Sequence, residues 1–241
     1  MSETATLDDL TASRAEADGF VRTRWWWIRH APVVVDDGRI YGQTDLPCDC
    51  SDARSFAGLA ALLPRDARWI TSHLVRTHQT ARAIWAAGDF DPAPEFIQDK
   101  DLAEQHLGDW QGLDRREFLL NRKQAPDSFW YATADERAPN GESFVDLLER
   151  VGTAIGRINQ AHPGGDVVAV AHGGTIRAAI TLALGLAPHG GFAFMIDNCS
   201  LTRLDHYQGR QTAGWRVKTI NQRPCRRDQP PPGERSARSF T

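Results

Sequence analysis

Apolar residues along this chain follow two alternating patterns. Short runs that are almost wholly apolar alternate with longer stretches in which apolar residues recur every three or four positions. The short runs are typical of buried strands, and the second spacing places apolar side chains on one face of a helix. The predicted strands are WWWI (25–28), RWIT (68–71), EFIQ (95–98), DVVAVA (166–171) and FAFMI (192–196).

The helical spacing is clearest in residues 56–63, which end before Pro64, and in 144–158, which end before HPGG (162–165). Strands that alternate with helices predict an α/β protein, a three-layer sandwich with a mostly parallel central sheet. CSLTRLDHY (199–207) and GWRVKTI (214–220) are expected to add an antiparallel hairpin at one edge of this sheet. The tryptophans of residues 25–27 are expected to pack in the core, on alternate faces of their strand.

Length and composition favour one ordinary globular domain. The chain has 241 residues, of which 41% are hydrophobic. Residues 1–22 and 222–241 are poor in apolar residues, so we expect two disordered tails around a catalytic domain at 23–221.

The formal net charge is -3, which gives no general attraction to nucleic acid or to anionic membranes. No apolar run is long enough to span a membrane. The four cysteines form neither a disulfide framework nor a zinc motif. We therefore expect a cytoplasmic monomer or homodimer that binds neither nucleic acid nor membranes.

Polar residues follow the predicted strands at the points where they end. In chain order these are Arg29 and His30, then Arg76, Glu104 and His172. The carboxyl ends of parallel strands meet at one edge of a sheet, where ligands bind. Guanidinium groups match phosphate oxygens, a neutral imidazole can attack phosphorus, and a carboxyl group can protonate a leaving alkoxide. This set of residues predicts phosphoryl chemistry with no metal and no cofactor.

Four motifs in this order carry a family resemblance: RHA (29–31), SHLVRTHQTA (72–81), LAEQHLGDWQG (102–112) and AHGGTIRA (171–178). Over residues 24 to 220 the sequence resembles the histidine phosphatase superfamily, which shares the phosphoglycerate mutase fold. The resemblance implies that His30 is the phosphorylated nucleophile and Glu104 the proton donor. It also implies that Arg29, Arg76 and His172 hold the phosphate, and that His172 belongs to the catalytic set.

One residue departs from the family pattern. Ala31 stands where the family has glycine, which puts the geometry of this loop in question because alanine disfavours a positive φ. Three further residues, Gln43, His73 and Gly173, are candidate substrate contacts. For Gln43, a plain surface loop is as good an interpretation.

Several polar residues have simpler interpretations. GES (141–143) is read as a helix cap, with a substrate contact as the alternative. The remaining histidines lack metal-ligand spacing, so surface or structural roles are expected and no metal site is predicted; they are His78, His106, His162, His189 and His206.

The expected function is hydrolysis of a small phosphorylated metabolite through a phosphohistidine. YGQTD (41–45) and HGGTIRA (172–178) look closest to the α-ribazole phosphatase-like group. The alternatives are a phosphoglycerate-type mutase and a silent module that binds a phosphorylated ligand, the latter supported only by Ala31. A mutase is disfavoured because the predicted core has no long basic insertion and so offers few further cationic groups for a substrate carboxylate. In addition, Gly173 is followed by Gly174 and Thr175, where a mutase-like pattern would have Asn and Ser.

Overall fold

A single six-stranded sheet organises the chain. The computed structural model describes residues 19–122, 130–210 and 212–224. The strands are β1 (Val21–Arg29), β2 (Arg68–Thr71), β3 (Phe96–Gln98), β4 (Gly165–Ala171), β5 (Leu201–Gln208) and β6 (Ala213–Gln222). Their order in the sheet is β3-β2-β4-β1-β5-β6. The pairs from β3 to β1 are parallel, and β5 and β6 continue the sheet as an antiparallel hairpin.

Helices cover both faces of the sheet. They are α1 (Ala53–Leu62), α2 (Val75–Ala87), α3 (Arg115–Leu120), α4 (Phe144–Ala161) and α5 (Gly173–Leu184), and short 3-10 helices span Lys100–Leu102, Gly108–Trp110 and Pro188–Ala193. One apolar cluster joins the sheet to α1 and α2, and the other joins it to α4 and α5. The predicted three-layer α/β architecture is confirmed.

The alternation of side chains along each strand produces these two clusters. In β1, Trp25 and Trp27 are fully buried on the α4 and α5 side, whereas Ile28 is buried and Trp26 half-buried on the opposite side. In β2, Trp69 and Ile70 divide between the two faces in the same way. The tryptophans near the start of the chain are therefore core residues, as predicted.

The predicted strand at 192–196 is wrong. Residues 188–193 form a 3-10 helix, and 194–196 continue without pairing to the sheet. Phe192 is nonetheless buried, because its ring packs 4.6 Å from Phe144 and 5.7 Å from Trp130 between ring centroids. An apolar run without alternation indicates that the segment is buried, but it does not distinguish a strand from an irregular buried segment.

The ordered strands extend slightly into both predicted tails. Val21 and Arg22 pair with β5, and Gln222 pairs with Leu201, so the boundaries at 23 and 221 fall inside strands. Most of the tails, residues 1–18 and 225–241, lies outside the described residues. Their disorder stays a prediction, as does the division into one domain and two tails. In the part of the chain that the structure describes, no helix has the length and apolar character needed to cross a bilayer.

Candidate active site

The two histidines meet because β1 and β4 are parallel neighbours in register. Arg29, the last residue of β1, lies opposite Ala171, the last residue of β4. His30 and His172 follow directly, and their ring centroids lie 5.1 Å apart with an interplanar angle of 57°. Both rings are fully buried.

His30 is held as a neutral imidazole with its Nε2 lone pair free. Its Nδ1 lies 2.7 Å from the carbonyl oxygen of Ala31, and since a carbonyl only accepts, Nδ1 carries the proton. Nε2 is buried and has no hydrogen-bond partner among the described residues. Burial, then the charges of Arg76 and Arg29, lower the pKa of His30 well below its usual 6.5. This is the protonation state that a nucleophile needs.

Ala31 fits the loop that the family builds with glycine. Its φ is not among the positive values found in the described residues, so alanine carries no strain here. The methyl group is fully buried in the cluster on the α1 and α2 side, and the backbone N–H donates to Thr80 Oγ1 at 2.9 Å. The only support for a silent binding module is thereby removed.

Arg76 is a buried cation anchored by backbone carbonyls. It lies in the first turn of α2 and donates from Nη1 to Thr44 O at 2.8 Å and from Nη2 to Gly42 O at 2.7 Å. Its Nε donates to His172 Nδ1 at 3.4 Å. A guanidinium has five N–H groups, so two remain for a ligand.

His172 is also neutral, and the protein engages both of its nitrogens. Because Arg76 donates to Nδ1, the ring proton lies on Nε2, which donates to Ser72 Oγ at 2.8 Å. Burial, and then Arg76, lower the pKa of His172 well below 6.5. The ring thus links Ser72 and Arg76 beside His30; its contact with phosphate stays a prediction.

Glu104 directs one carboxylate oxygen to the protein and leaves the other for a ligand. Oε1 accepts from the backbone N–H groups of Gly174 and Gln105, each at 3.0 Å. A Cβ on Gly174 would lie only 2.3 Å from this oxygen, so the approach requires glycine. Oε2 has no hydrogen-bond partner among the described residues, and Glu104 lines the cavity described next. This geometry suits a proton donor.

A cavity of about 420 Å³ is bordered by Glu104 and by Arg29, which precedes His30 in the chain; His30, Arg76 and His172 are not among its lining residues. Of the predicted residues, Arg29, Glu104 and Gly173 line it, together with Arg115 and Arg177, which the sequence interpretation missed. The expectation that the pocket offers few further cationic groups is therefore wrong. Arg177 was detectable: it lies four positions after Gly173 on α5 and so shares its face. Arg115 gave no comparable signal.

The remaining candidates lie around the cavity. Gln43 donates from Nε2 to the backbone carbonyl of Glu104 at 2.7 Å, so it positions the Glu104 loop. His73 is exposed and is not among the cavity-lining residues. Ser143 caps α4 in a reciprocal pair with Asp146, which confirms the capping interpretation of GES. Substrate contacts by Gln43, His73 and Gly173 stay predictions.

No group of three or more His, Cys, Asp or Glu side chains with the arrangement of a metal site occurs among the residues that the structure describes. The positive charge beside His30 comes from the arginines Arg29 and Arg76.

Comparisons with known proteins show which family the chain belongs to. A bacterial protein named "Probable phosphoglycerate mutase GpmB", from Serratia proteamaculans, is 31% identical over 201 residues, which is 80% of this chain and 89% of that protein. The mycobacterial glucosyl-3-phosphoglycerate phosphatase superposes with a TM-score of 0.70 at 27% identity, covering 83% of this chain and 99% of the other.

The α-ribazole phosphatase of Shigella flexneri shares the fold, with a TM-score of 0.65 at 24% identity over 82% of this chain and 96% of its own. Residues 25–222 match the family model of the histidine phosphatase superfamily, branch 1. Phosphatases and mutases are thus both represented among the proteins that this chain resembles. The chain belongs to the histidine phosphatase superfamily.

Proposed function

We propose that this protein is a metal-independent phosphomonoester hydrolase that acts on a small phosphorylated metabolite through a phosphohistidine at His30. The observation that carries the proposal is the state of His30: a neutral, buried imidazole whose Nε2 is free while Nδ1–H is fixed by the Ala31 carbonyl. A nucleophile with a fixed tautomer beside two cations is suited to attack on phosphorus.

The first half of the reaction transfers the phosphoryl group to the protein. The guanidinium groups of Arg29 and Arg76 hold the phosphate oxygens and stabilise their charge in the transition state. His30 Nε2 attacks phosphorus, the bond from phosphorus to the ester oxygen breaks, and Glu104 gives its proton to the departing alkoxide. The ring then carries a positive charge, which the hydrogen bond from Nδ1–H to the Ala31 carbonyl stabilises.

The second half returns His30 to its starting state. The ionised Glu104 takes a proton from a water molecule, whose oxygen attacks phosphorus as the bond to Nε2 breaks. Inorganic phosphate leaves, Glu104 is again protonated and His30 is again neutral. The arginines supply the positive charge that other phosphoryl-transfer enzymes obtain partly from Mg²⁺.

The size of the cavity favours a small substrate, because about 420 Å³ lies in the lower part of the range found for small-molecule sites. Similarity to a phosphatase of a phosphorylated glycerate derivative gives independent support. The α-ribazole phosphatase-like assignment is supported only by a shared fold. Cytoplasmic location and a monomeric or homodimeric state stay predictions.

A mutase is the second candidate, since Arg177 adds to the cavity a cation with no carboxylate hydrogen-bond partner among the described residues, and a mutase-named protein is 31% identical. A mutase returns the phosphoryl group to a substrate hydroxyl, whereas a phosphatase delivers it to water. The two differ in their product, so measurement of the product separates them.

The test is release of inorganic phosphate from a panel of phosphomonoesters, run beside a coupled assay that interconverts 3- and 2-phosphoglycerate. We expect phosphate release from at least one small ester and no release by the His30→Ala variant. Fast isomerisation with negligible phosphate release would establish the mutase. No turnover of either kind would contradict both candidates.

A further inference from the structure

Arg177 is a cationic residue that borders the cavity next to Arg29. Arg177 lies on α5, and its Nε donates to the carbonyl oxygen of Phe194 at 2.9 Å. Its guanidinium carbon lies 4.8 Å from the ring centroid of Trp130. These two contacts fix the plane of the guanidinium, and none of the described residues accepts a hydrogen bond from its terminal nitrogens.

Gly173 brings Arg177 close to Arg29. A Cβ on Gly173 would lie 3.4 Å from Arg177 Nη1 and 3.6 Å from Arg29 Nε, so both guanidinium groups border the same glycine. Like charges in such proximity disfavour each other: burial lowers the pKa of Arg177 most, the charge of Glu104 opposes this shift, and the charge of Arg29 adds to it. Two adjacent, half-buried cations of this kind are stabilised by an anion that lies between them or beside them.

Arg115, the third arginine that lines the cavity, is already paired with a carboxylate. Arg115 donates from Nη2 to Asp36 at 2.8 Å and to the carbonyl oxygen of Arg39 at 2.8 Å. Arg177 has no such carboxylate within hydrogen-bond distance among the described residues. Of these two arginines, Arg177 is therefore the one that has charge to offer a ligand.

We infer that Arg177 forms a subsite for a carboxylate on the substrate, adjacent to the phosphate site that Arg29 and Arg76 form. The inference rests on the proposed function, and it specifies the substrate class: a phosphomonoester whose carboxylate lies a few atoms from the phosphate. The terminal edge of a guanidinium presents two parallel N–H groups, which match the two oxygens of a carboxylate.

The charge balance favours a carboxylate over a second phosphate. With Glu104 protonated for its role as acid and Arg115 paired to Asp36, the remaining cations are Arg29, Arg76 and Arg177. A phosphate monoester carries about two negative charges near pH 7, and a carboxylate adds one. These three charges equal the three cations, whereas a bisphosphate would bring about four.

The test compares two ligands that differ only in the carboxylate: 3-phosphoglycerate and glycerol 3-phosphate. Calorimetry on the His30→Ala chain measures their dissociation constants without turnover, so the result does not depend on the phosphatase activity. We expect 3-phosphoglycerate to bind about 10- to 100-fold more tightly, the range for a hydrogen bond to a charged group. Adding the Arg177→Gln substitution should reduce this ratio to about threefold or less.

Two variants act as controls. Arg177→Lys keeps the positive charge but loses the two parallel N–H groups, so it should retain part of the preference for 3-phosphoglycerate. A retained preference in this variant also shows that position 177 can be substituted without misfolding. Arg115→Gln removes the arginine of the same cavity that is already paired, and it should leave the ratio near its original value. Loss of the ratio in Arg115→Gln would move the subsite to Arg115 and overturn the assignment to Arg177.

Further outcomes count against the inference. A ratio near one in the chain that retains Arg177, or a ratio that survives Arg177→Gln, would show that Arg177 binds no carboxylate. Tighter, Arg177-dependent binding of 2,3-bisphosphoglycerate would show that the subsite takes a phosphate. If one of these results is found while the unsubstituted chain still hydrolyses nitrophenyl phosphate, the proposed function stands and only the carboxylate subsite is rejected.

Discussion

Replacing Gly174 with alanine should displace the proton donor while the fold is kept. The new Cβ would lie 2.3 Å from Glu104 Oε1 and 3.2 Å from Leu147 Cδ2. Contacts between carbon and oxygen are ordinarily about 3.3 Å or longer, so the carboxylate has to move by about 1 Å. A misplacement of that size lowers the rate by about 100-fold when the group acts in the transition state.

The stability of this variant should change little. Gly174 lies in the first turn of α5, where alanine is the better helix former by up to about 1 kcal/mol, and this gain opposes the steric clash. The thermal midpoint is therefore expected to shift by only a few degrees. A large fall would mean that the helix, and not the carboxylate, has moved.

The assay compares an alkyl ester with an aryl ester. We expect kcat/KM, which reports phosphoryl transfer to His30, to fall by about 100-fold for glycerol phosphate and much less for nitrophenyl phosphate, because nitrophenolate leaves without protonation. Gly156→Ala is the matched control: it lies within α4, and nothing lies within 4 Å of the new methyl group. It should leave both rates unchanged and raise the free energy of unfolding slightly.

A double variant tests whether the effect passes through Glu104. If it does, Gly174→Ala combined with Glu104→Gln should be no slower on glycerol phosphate than Glu104→Gln alone. Multiplication of the two losses would refute this reasoning, as would equal losses on the alkyl and aryl esters in Gly174→Ala.

Three further predictions concern the same site. Glu104→Gln should lower kcat/KM for alkyl esters by about 10²- to 10⁴-fold and kcat/KM for nitrophenyl phosphate much less; equal losses in kcat/KM would remove Glu104 from the role of acid. Activity should be unchanged in EDTA, because Arg29 and Arg76 supply the positive charge; loss that Mg²⁺ or Zn²⁺ restores would contradict the mechanism. Because burial lowers the pKa of His30 and His172, the unfolded chain binds protons below about pH 6.5 that the folded chain does not. The free energy of unfolding should fall between pH 7.5 and 5.5 by up to about 1.4 kcal/mol per pH unit for each histidine, and His30→Ala should reduce this slope; urea midpoints at both pH values measure it.

The proximity of the residues at the centre of the candidate site is predictable from the sequence because strand ends are geometrically constrained. Arg29 and Ala171 are paired in register, so any residue that follows β1 must lie near one that follows β4. His30 and His172 are in contact for that reason alone. Glu104 was found in the same way, beyond β3, although Gly174 and Gln105 set its orientation.

The cavity wall was less predictable because it depends on the reach and pairing of long side chains. Arg115 and Asp36 are 79 residues apart, and no periodicity predicts that they neutralise each other. Residues 192–196 are a second case in which the apolar pattern predicts burial but not the secondary structure. Phe192 is buried against Phe144 and Trp130, but it lies in a 3-10 helix and not in the sheet.

The central claim is that His30 carries the phosphoryl group, and trapping that group tests it most directly. The reaction with a phosphomonoester that the protein hydrolyses is quenched in alkali, where phosphohistidine survives. The modified peptide is then mapped by mass spectrometry. With nitrophenyl phosphate as the ester, phosphate is expected on His30 in the unsubstituted chain, and more of it in Glu104→Gln, where water attack is slowed but departure of nitrophenolate is not. Phosphate on another residue such as Ser72, or turnover by the His30→Ala chain, would contradict the account.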